Sequence, residues 1–335
     1  MKILYAIQGT GNGHLSRARD IIPLLHKKTR DLDILVSGTQ ADVQIPYPIK
    51  YRLKGLSFIF GKKGGVDMWR TYLKTNSSNL QKEIKSIPVA DYDLIINDFE
   101  PISAWACKLK NKKCVGFSHQ AGVISPNAPK PEKNDLLGKM ILKKYAPTTQ
   151  SYGLHFKSYA DNIFTPIVRQ EVRNSTRSVG DHYTVYLPSY SDDKILKVLS
   201  KLKRVKWEVF SKHTDIDFFY KNISVRKIKN EAFINSMANC KGVLCGAGFE
   251  TPAEALHLEK KLMVIPMKGQ YEQKCNASAL KEMQVPVLKS LKTKHLETLA
   301  NWIETDHRTH IYYPDMTADI VDQILQEASV GQMNY

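Results

Sequence analysis

No stretch of the 335-residue chain comes near the roughly 20 consecutive apolar residues needed to cross a bilayer. The opening Met1-Lys-Ile-Leu-Tyr-Ala-Ile7 has the look of a leader peptide. Its apolar run stops at Gln8, however, and a glycine loop follows, so it reads as a first buried strand. Cysteine is sparse: five residues, an odd number, none in CxxC spacing. That excludes a disulfide framework and a thiolate zinc site, and fits a reduced cytoplasmic protein. Internal repeats and low-complexity tracts are absent. So are a helix-turn-helix, an RNA-binding sheet and a zinc module, which leaves no motif for nucleic acid. The GxGxxG dinucleotide fingerprint is missing as well. Gly9, Gly11 and Gly13 make a GxGxG pattern instead. No acidic residue ends the second strand, where Asp33-Ile-Leu-Val36 gives way to Ser37-Gly38.

What is present points to two α/β domains. The length exceeds a single core, and 42% hydrophobic residues is ordinary for a soluble globular protein. The net charge of +16 is unevenly spread: residues 1–160 carry 25 Lys and Arg against 12 Asp and Glu, and residues 161–335 carry 24 against 21. An excess confined to one half suits an anionic surface or a phosphate-bearing partner met by that half; a charge set chosen for solubility is the alternative. Apolar runs alternate with helical patterns along the whole chain, which implies parallel sheets. The first unit is a strand over Ile3–Ile7, the loop Gln8–Gly13 and a helix over Leu15–Leu25. A further strand ends at Asp98 and Glu100, and another at Ser118-His119-Gln120, so polar groups collect at the carboxyl edge of one sheet, where open parallel sheets bind ligands. Asp91 and Asp93 form a D-x-D at the start of their strand, the end away from that edge, and read as a solvated strand start. Gly61-Lys-Lys-Gly-Gly-Val-Asp-Met-Trp-Arg70 reads as a mobile loop or an ordinary surface loop. The helix Leu136–Tyr145, with Lys139, Lys143 and Lys144, suits either a membrane interface or packing on its own domain.

The densest signal lies between Val243 and Ala277. Val243-Leu-Cys-Gly-Ala-Gly-Phe-Glu-Thr-Pro-Ala-Glu-Ala-Leu256 reads as a buried strand, a glycine turn at Gly246 and Gly248, and a helix with Thr251 as N-cap and Pro252 at its first position. The free N–H groups of such a helix start bind anions. Glu254, one turn in, can accept from a sugar diol. After a strand over Lys261–Ile265, Gln270, Glu272, Gln273 and Asn276 add the amides and carboxylates that suit a hydroxyl-rich ligand. Phe249-Glu250 sets a carboxylate beside the expected phosphate, which is awkward unless it points away.

The two glycine loops, Gly9-Thr-Gly-Asn-Gly-His14 and the turn with Thr251-Pro-Ala-Glu254-Ala-Leu256, lie in separate halves in the same order as in GT-B glycosyltransferases. Together with Gln270-Tyr-Glu-Gln273 and Asn276-Ala277 they resemble the bacterial UDP-sugar-using enzymes of that fold. These include the N-acetylglucosaminyltransferase that completes the lipid-linked peptidoglycan precursor. The resemblance spans nearly the whole chain. It implies two Rossmann-like doubly wound domains facing each other across a cleft: residues 1–160 for the acceptor and residues 161–335 for the donor, with the last helix, Thr317–Ala328, returning toward the first. It implies hexosyl transfer from a nucleotide-sugar to a hydroxyl acceptor that is a glycan or lipid-linked, without a metal or other cofactor and with inversion, by a cytoplasmic protein able to lie on the inner face of the membrane. The donor site would comprise Gly246, Ala247, Gly248, Phe249, Thr251, Glu254, Gln270, Glu272 and Gln273, with Ile228 beside the base. The catalytic candidates are His14, Asp98 and Glu100; either His14 or Asp98 would deprotonate the acceptor. Gly11, Asn12, Gly13, Arg17 and His119 would lie on the acceptor side. A nucleotide-sugar 2-epimerase on the same fold, or a non-catalytic protein binding an anionic ligand, are the alternatives.

Overall fold

A computed structural model of the chain describes residues 1–38, 45–55, 60–61, 65–66, 77–133 and 135–330. Most of the Gly61–Arg70 loop, Trp69 included, lies outside the described residues. The first sheet takes seven strands: β1 (Ile3–Gln8), β2 (Leu32–Ser37), β3 (Tyr51–Leu53), β6 (Leu94–Asp98), β7 (Val115–Ser118), β8 (Gln150–Leu154) and β9 (Ile163–Phe164). Between β3 and β6, β4 (Phe60–Gly61) and β5 (Gly65–Val66) form a separate antiparallel pair. The spatial order is β3-β2-β1-β6-β7-β8-β9, and every neighbouring pair is parallel. All six residues of β1 are buried, as a central strand covered on both faces requires. The chain leaves β1 toward β2 on one side and returns to β6 on the other. The switch point therefore falls between Gln8 and Asp98, where a parallel sheet opens a crevice.

The second sheet repeats the scheme with β10 (His182–Tyr186), β11 (Lys206–Ser211), β12 (Phe218–Tyr220), β13 (Ile223–Lys227), β14 (Gly242–Gly246) and β15 (Lys261–Ile265), in the order β12-β13-β11-β10-β14-β15. Five of its strands are parallel; β12 is an antiparallel edge strand. Alternation of strand and helix does not foresee β12, because it is made by a hairpin in which Lys221 takes a left-handed backbone at φ 56°. The switch point here lies between β10 and β14 and opens at Gly246.

One buried apolar cluster joins the halves, running from Ile3, Tyr5 and Ile7 through Phe156 to Phe249 and Val243. Helix Thr317–Val330 lies against the first-half helix Asn12–Lys28. Ile320, Val321 and Ile324 are buried, Lys28 Nζ meets Asp322 at 2.8 Å, and Gln150 donates to Glu327 at 2.6 Å. The five cysteines are buried and unpaired. Among the described residues no helix is long and apolar enough to cross a membrane.

Candidate active site

The first glycine loop ends sooner than the sequence pattern predicts. Gly11 is the N-cap and the helix starts at Asn12, three residues before Leu15, so Asn12, Gly13 and His14 form its first turn. This places His14 over the end of β6. His14 Nδ1 lies 2.8 Å from Asp98 Oδ1, and its Nε2 is 3.4 Å from the Gln120 amide nitrogen. An anion at Nδ1 and an amide donor at Nε2 are both satisfied by the Nδ1–H tautomer, which leaves the lone pair on Nε2. Asp98 is fully buried behind the imidazole. Both its oxygens accept from Arg17 at 2.8 Å. Burial alone would raise the Asp98 carboxyl, but the Arg17 guanidinium and His14 overcome it and hold it below the ordinary carboxylate value. Arg17 is 1% exposed and reaches the other half, where its second terminal nitrogen donates to Glu250 at 2.5 Å. Expected on the acceptor side, it is buried in the wall behind His14 and does not line the cavity.

Glu100 also departs from expectation. Its carboxylate accepts from the backbone N–H groups of Ile102 and Ser103 and from the Ser37 hydroxyl, each at 2.6 Å, and it is fully buried. It is the N-cap of helix Pro101–Leu109, where a carboxylate one residue before a helix satisfies two orphan donors at once, and it does not line the cavity. Between Asp98 and Glu100, Phe99 takes a left-handed φ of 57°, a conformation that costs about 1–3 kcal/mol and needs surrounding structure to hold it. Asn97 supplies part of that hold, accepting from Glu100 N at 3.0 Å and donating to Glu100 O at 2.7 Å. The turn aims the Phe99 ring into the cleft, stacked on Tyr145 at 4.8 Å.

On the facing edge, the donor-type helix is Glu250–His257. Thr251 is its second residue rather than its cap, and Phe249 holds the cap position without a side-chain bond. Pro252 still lies in the first turn, where no partner is needed for a backbone donor. Gly246 and Gly248 do not use the left-handed region, which among the described glycines is taken by Gly38, Gly55 and Gly269. What Gly248 provides is room: a Cβ there would meet nothing within 4 Å. Ala247 is buried, and its carbonyl accepts from Asn276 at 3.1 Å. Asn276 Oδ1 in turn lies 2.8 Å from His119 Nε2, and the His119 ring stacks on Phe249 at 3.8 Å. His119 is therefore a buried joint between the halves, with burial pushing its imidazole down.

The two edges enclose one cavity of about 610 Å³. Its walls include Gly11, Asn12, Gly13, His14 and His119 from the first half. Ile228, Gly248, Phe249, Thr251, Glu254, Gln270, Glu272 and Gln273 come from the second. Asp98, Glu100, Arg17, Gly246 and Ala247 stand behind this surface. Glu272 accepts from Gln120 across the cleft at 3.0 Å, and Gln273 fixes the backbone at Met267 N, 2.9 Å away. The Gln120 and Gln270 side-chain oxygens are buried and accept from no described residue, an open demand that a hydroxyl-bearing ligand would meet. Glu254 is 2% exposed and is held by Arg169, Nε to Oε1 at 2.5 Å and a terminal nitrogen to Oε2 at 2.8 Å. Arg169, Gln120, Phe99 and Tyr145 are cavity residues that the motifs do not reveal. Arg169 follows β9 and has no motif of its own; Gln120 is adjacent to His119, so the polar mouth after β7 was the available signal.

The family model for glycosyl transferase family 1 matches residues 1–304. No curated protein matches the chain. Among solved structures, MurG from Acinetobacter baumannii is similar at 12% identity and a TM-score of 0.54, covering 99% of this chain and 100% of that one. UGT89C1 from Arabidopsis thaliana, solved with UDP, gives 11% identity and 0.56, covering 98% and 100%. A spinosyn rhamnosyltransferase solved with thymidine diphosphate gives 12% and 0.55, covering 98% and 96%. Two α/β domains of this topology and the family match agree, and the chain belongs to glycosyl transferase family 1.

Proposed function

We propose that the protein transfers a sugar from a nucleotide-sugar, with UDP as the favoured nucleotide, to the hydroxyl of an acceptor, with inversion and without a metal. The observation that carries this reading is the shared cavity: a histidine backed by a buried carboxylate on one wall, and a glycine turn with a helix N-terminus and clustered amides on the other. His14 Nε2 takes the acceptor proton while Asp98 stabilises the imidazolium that results. The acceptor oxygen attacks the anomeric carbon, and the bond from that carbon to the diphosphate oxygen breaks. The leaving diphosphate is stabilised by the N–H groups at the start of Glu250–His257. Gln270, Glu272 and Gln273 contact the sugar, Ile228 lies by the base, and Glu254 accepts from the ribose on lone pairs that Arg169 leaves free. The choice left open by the motifs thus goes to His14 as base, because Asp98 has no exposure. The two structural neighbours solved with UDP and thymidine diphosphate support a nucleoside diphosphate as the leaving group. In this reading residues 1 to about 160 hold the acceptor and the remainder the donor.

The acceptor is lipid-linked or part of a cell-envelope glycan, met at an anionic membrane surface. Helix Leu136–Tyr145 supports this: Ile141, Leu142 and Tyr145 line the cleft, while Leu136, Leu137 and Met140 are exposed beside Lys139, Lys143 and Lys144. The test is calorimetry of UDP, with thymidine diphosphate in parallel, in the presence of EDTA, on wild type and Glu254→Ala. The reading expects wild-type binding that weakens at least tenfold in the variant. Absence of binding of either diphosphate by wild type would sink it.

A further inference from the structure

Glu250 poses an electrostatic problem. It is the first residue of the helix whose N-terminus faces the cavity, and it lines that cavity itself, so its carboxylate stands where an anionic ligand must approach. The structure shows how the charge is handled. The carboxylate is turned across the cleft onto the first half, where Arg17 donates to it at 2.5 Å. It lies against Gly13 so closely that a Cβ there would collide with it. Gly13 is in the first turn of helix Asn12–Lys28, so the positive end of that helix adds to the compensation. Arg17 is 1% exposed and does not line the cavity, hence it cannot touch a ligand there. Its charge is shared between Asp98, which backs His14, and Glu250, which belongs to the opposite sheet's edge.

We propose that Arg17 is a positioning residue that sets donor affinity from the opposite half by neutralising and holding aside Glu250, so that the diphosphate meets a compensated carboxylate. The inference rests on the reading of the Glu250–His257 N-terminus as the diphosphate site. The physical reason is range: within a cleft of low effective dielectric, an uncompensated unit charge about 8 Å from a diphosphate changes affinity on the order of tenfold or more. A neutral nucleoside does not feel that field. One residue thereby couples two things: the carboxylate behind His14 and the helix that begins at Glu250.

The experiment is calorimetry of UDP and of uridine, at fixed ionic strength, on wild type, Glu250→Gln, Arg17→Gln and the double variant. Glu250→Gln keeps the side chain's shape, removes the repelling charge and should tighten UDP several-fold while leaving uridine unchanged. Arg17→Gln should weaken UDP about tenfold or more and uridine little. The double variant should return UDP to at least the wild-type affinity. A merely structural role for Arg17 predicts that UDP and uridine weaken together and that Glu250→Gln does not rescue. That result overturns the proposal, as does a Glu250→Gln protein that binds UDP no better than wild type, which remains decisive even if Arg17→Gln fails to fold. Wild type that binds neither UDP nor inorganic pyrophosphate would instead remove the diphosphate site itself, and this inference with it.

Discussion

Replacing Asp98 with asparagine tests the reading of the first-half edge most directly. The amide keeps the shape and one acceptor oxygen, but it removes a fully buried charge that takes two bonds from Arg17 and one from His14, all at 2.8 Å. Two consequences separate. For stability, Arg17 keeps Glu250 but loses its closer-coupled partner inside the wall. Breaking a buried pair by removing one charge costs about 3–5 kcal/mol, and the retained bond to Glu250 places this case toward the lower end. For activity, the imidazole loses the anion that fixes its Nδ1–H tautomer and that, with His14 as the proposed base, stabilises the imidazolium. A loss on the order of 10²–10⁴ in kcat follows. Urea denaturation measures the first; transfer assays, or hydrolysis of the nucleotide-sugar where the acceptor is withheld, measure the second. An Asp98→Asn protein with wild-type turnover within threefold and unfolding free energy within about 1 kcal/mol would refute the reasoning for the whole cluster.

Glu100→Ala should lower stability by about 1–3 kcal/mol, because the Ile102 and Ser103 donors and the Ser37 hydroxyl all lose their acceptor. UDP affinity should stay at the wild-type value, and calorimetry showing a large loss would return Glu100 to the site. Gly138→Val drives a side chain into Tyr271, whose Cβ would be 2.6 Å from the new Cβ, so the helices Leu136–Tyr145 and Tyr271–Glu282 must part. A cost of about 1–3 kcal/mol should appear as a lower Tm, and an unchanged Tm would show that this contact between the halves is loose. Burial pushes His155 down to about 2, and burial with Arg173 and Arg177 pushes His257 down to about 4. Both are neutral when folded, whereas the unfolded chain takes up protons near 6.5. Their contribution to stability is therefore complete above about pH 6.5 and is lost as pH falls, toward about 4 for His257 and toward about 2 for His155. Tm should drop between pH 7 and pH 5, and His257→Gln should drop less than wild type; an equal or steeper fall would contradict the assignment.

The architecture was legible in the order of strands and helices because buried parallel strands need continuous apolar runs. Ile3–Ile7, Val243–Cys245 and Lys261–Ile265 announce themselves that way, and their carboxyl ends locate the cavity edges without any contact being known. The two glycine loops pointed to a GT-B glycosyltransferase for the same reason: each is local, so its neighbours in sequence are its neighbours in space. By itself, then, the sequence determined two α/β domains, the edges that line the cavity, and His14 as a residue at the first of them. What it left undecided are pairings between residues far apart in the chain. Only the tertiary structure sets Arg17 against Glu250, 233 positions away, resolving a carboxylate that looks misplaced when read beside a phosphate motif. Only it turns Glu100 into a helix cap while its neighbour Asp98 supports the imidazole, because one left-handed residue, Phe99, sends the two carboxylates in different directions. Arg169 on Glu254 and Asn276 on His119 are of the same kind. Charge and hydrogen-bond demands in a buried cleft are met by whichever group the packing brings within about 3 Å, and packing is a property of the folded chain rather than of any stretch of it.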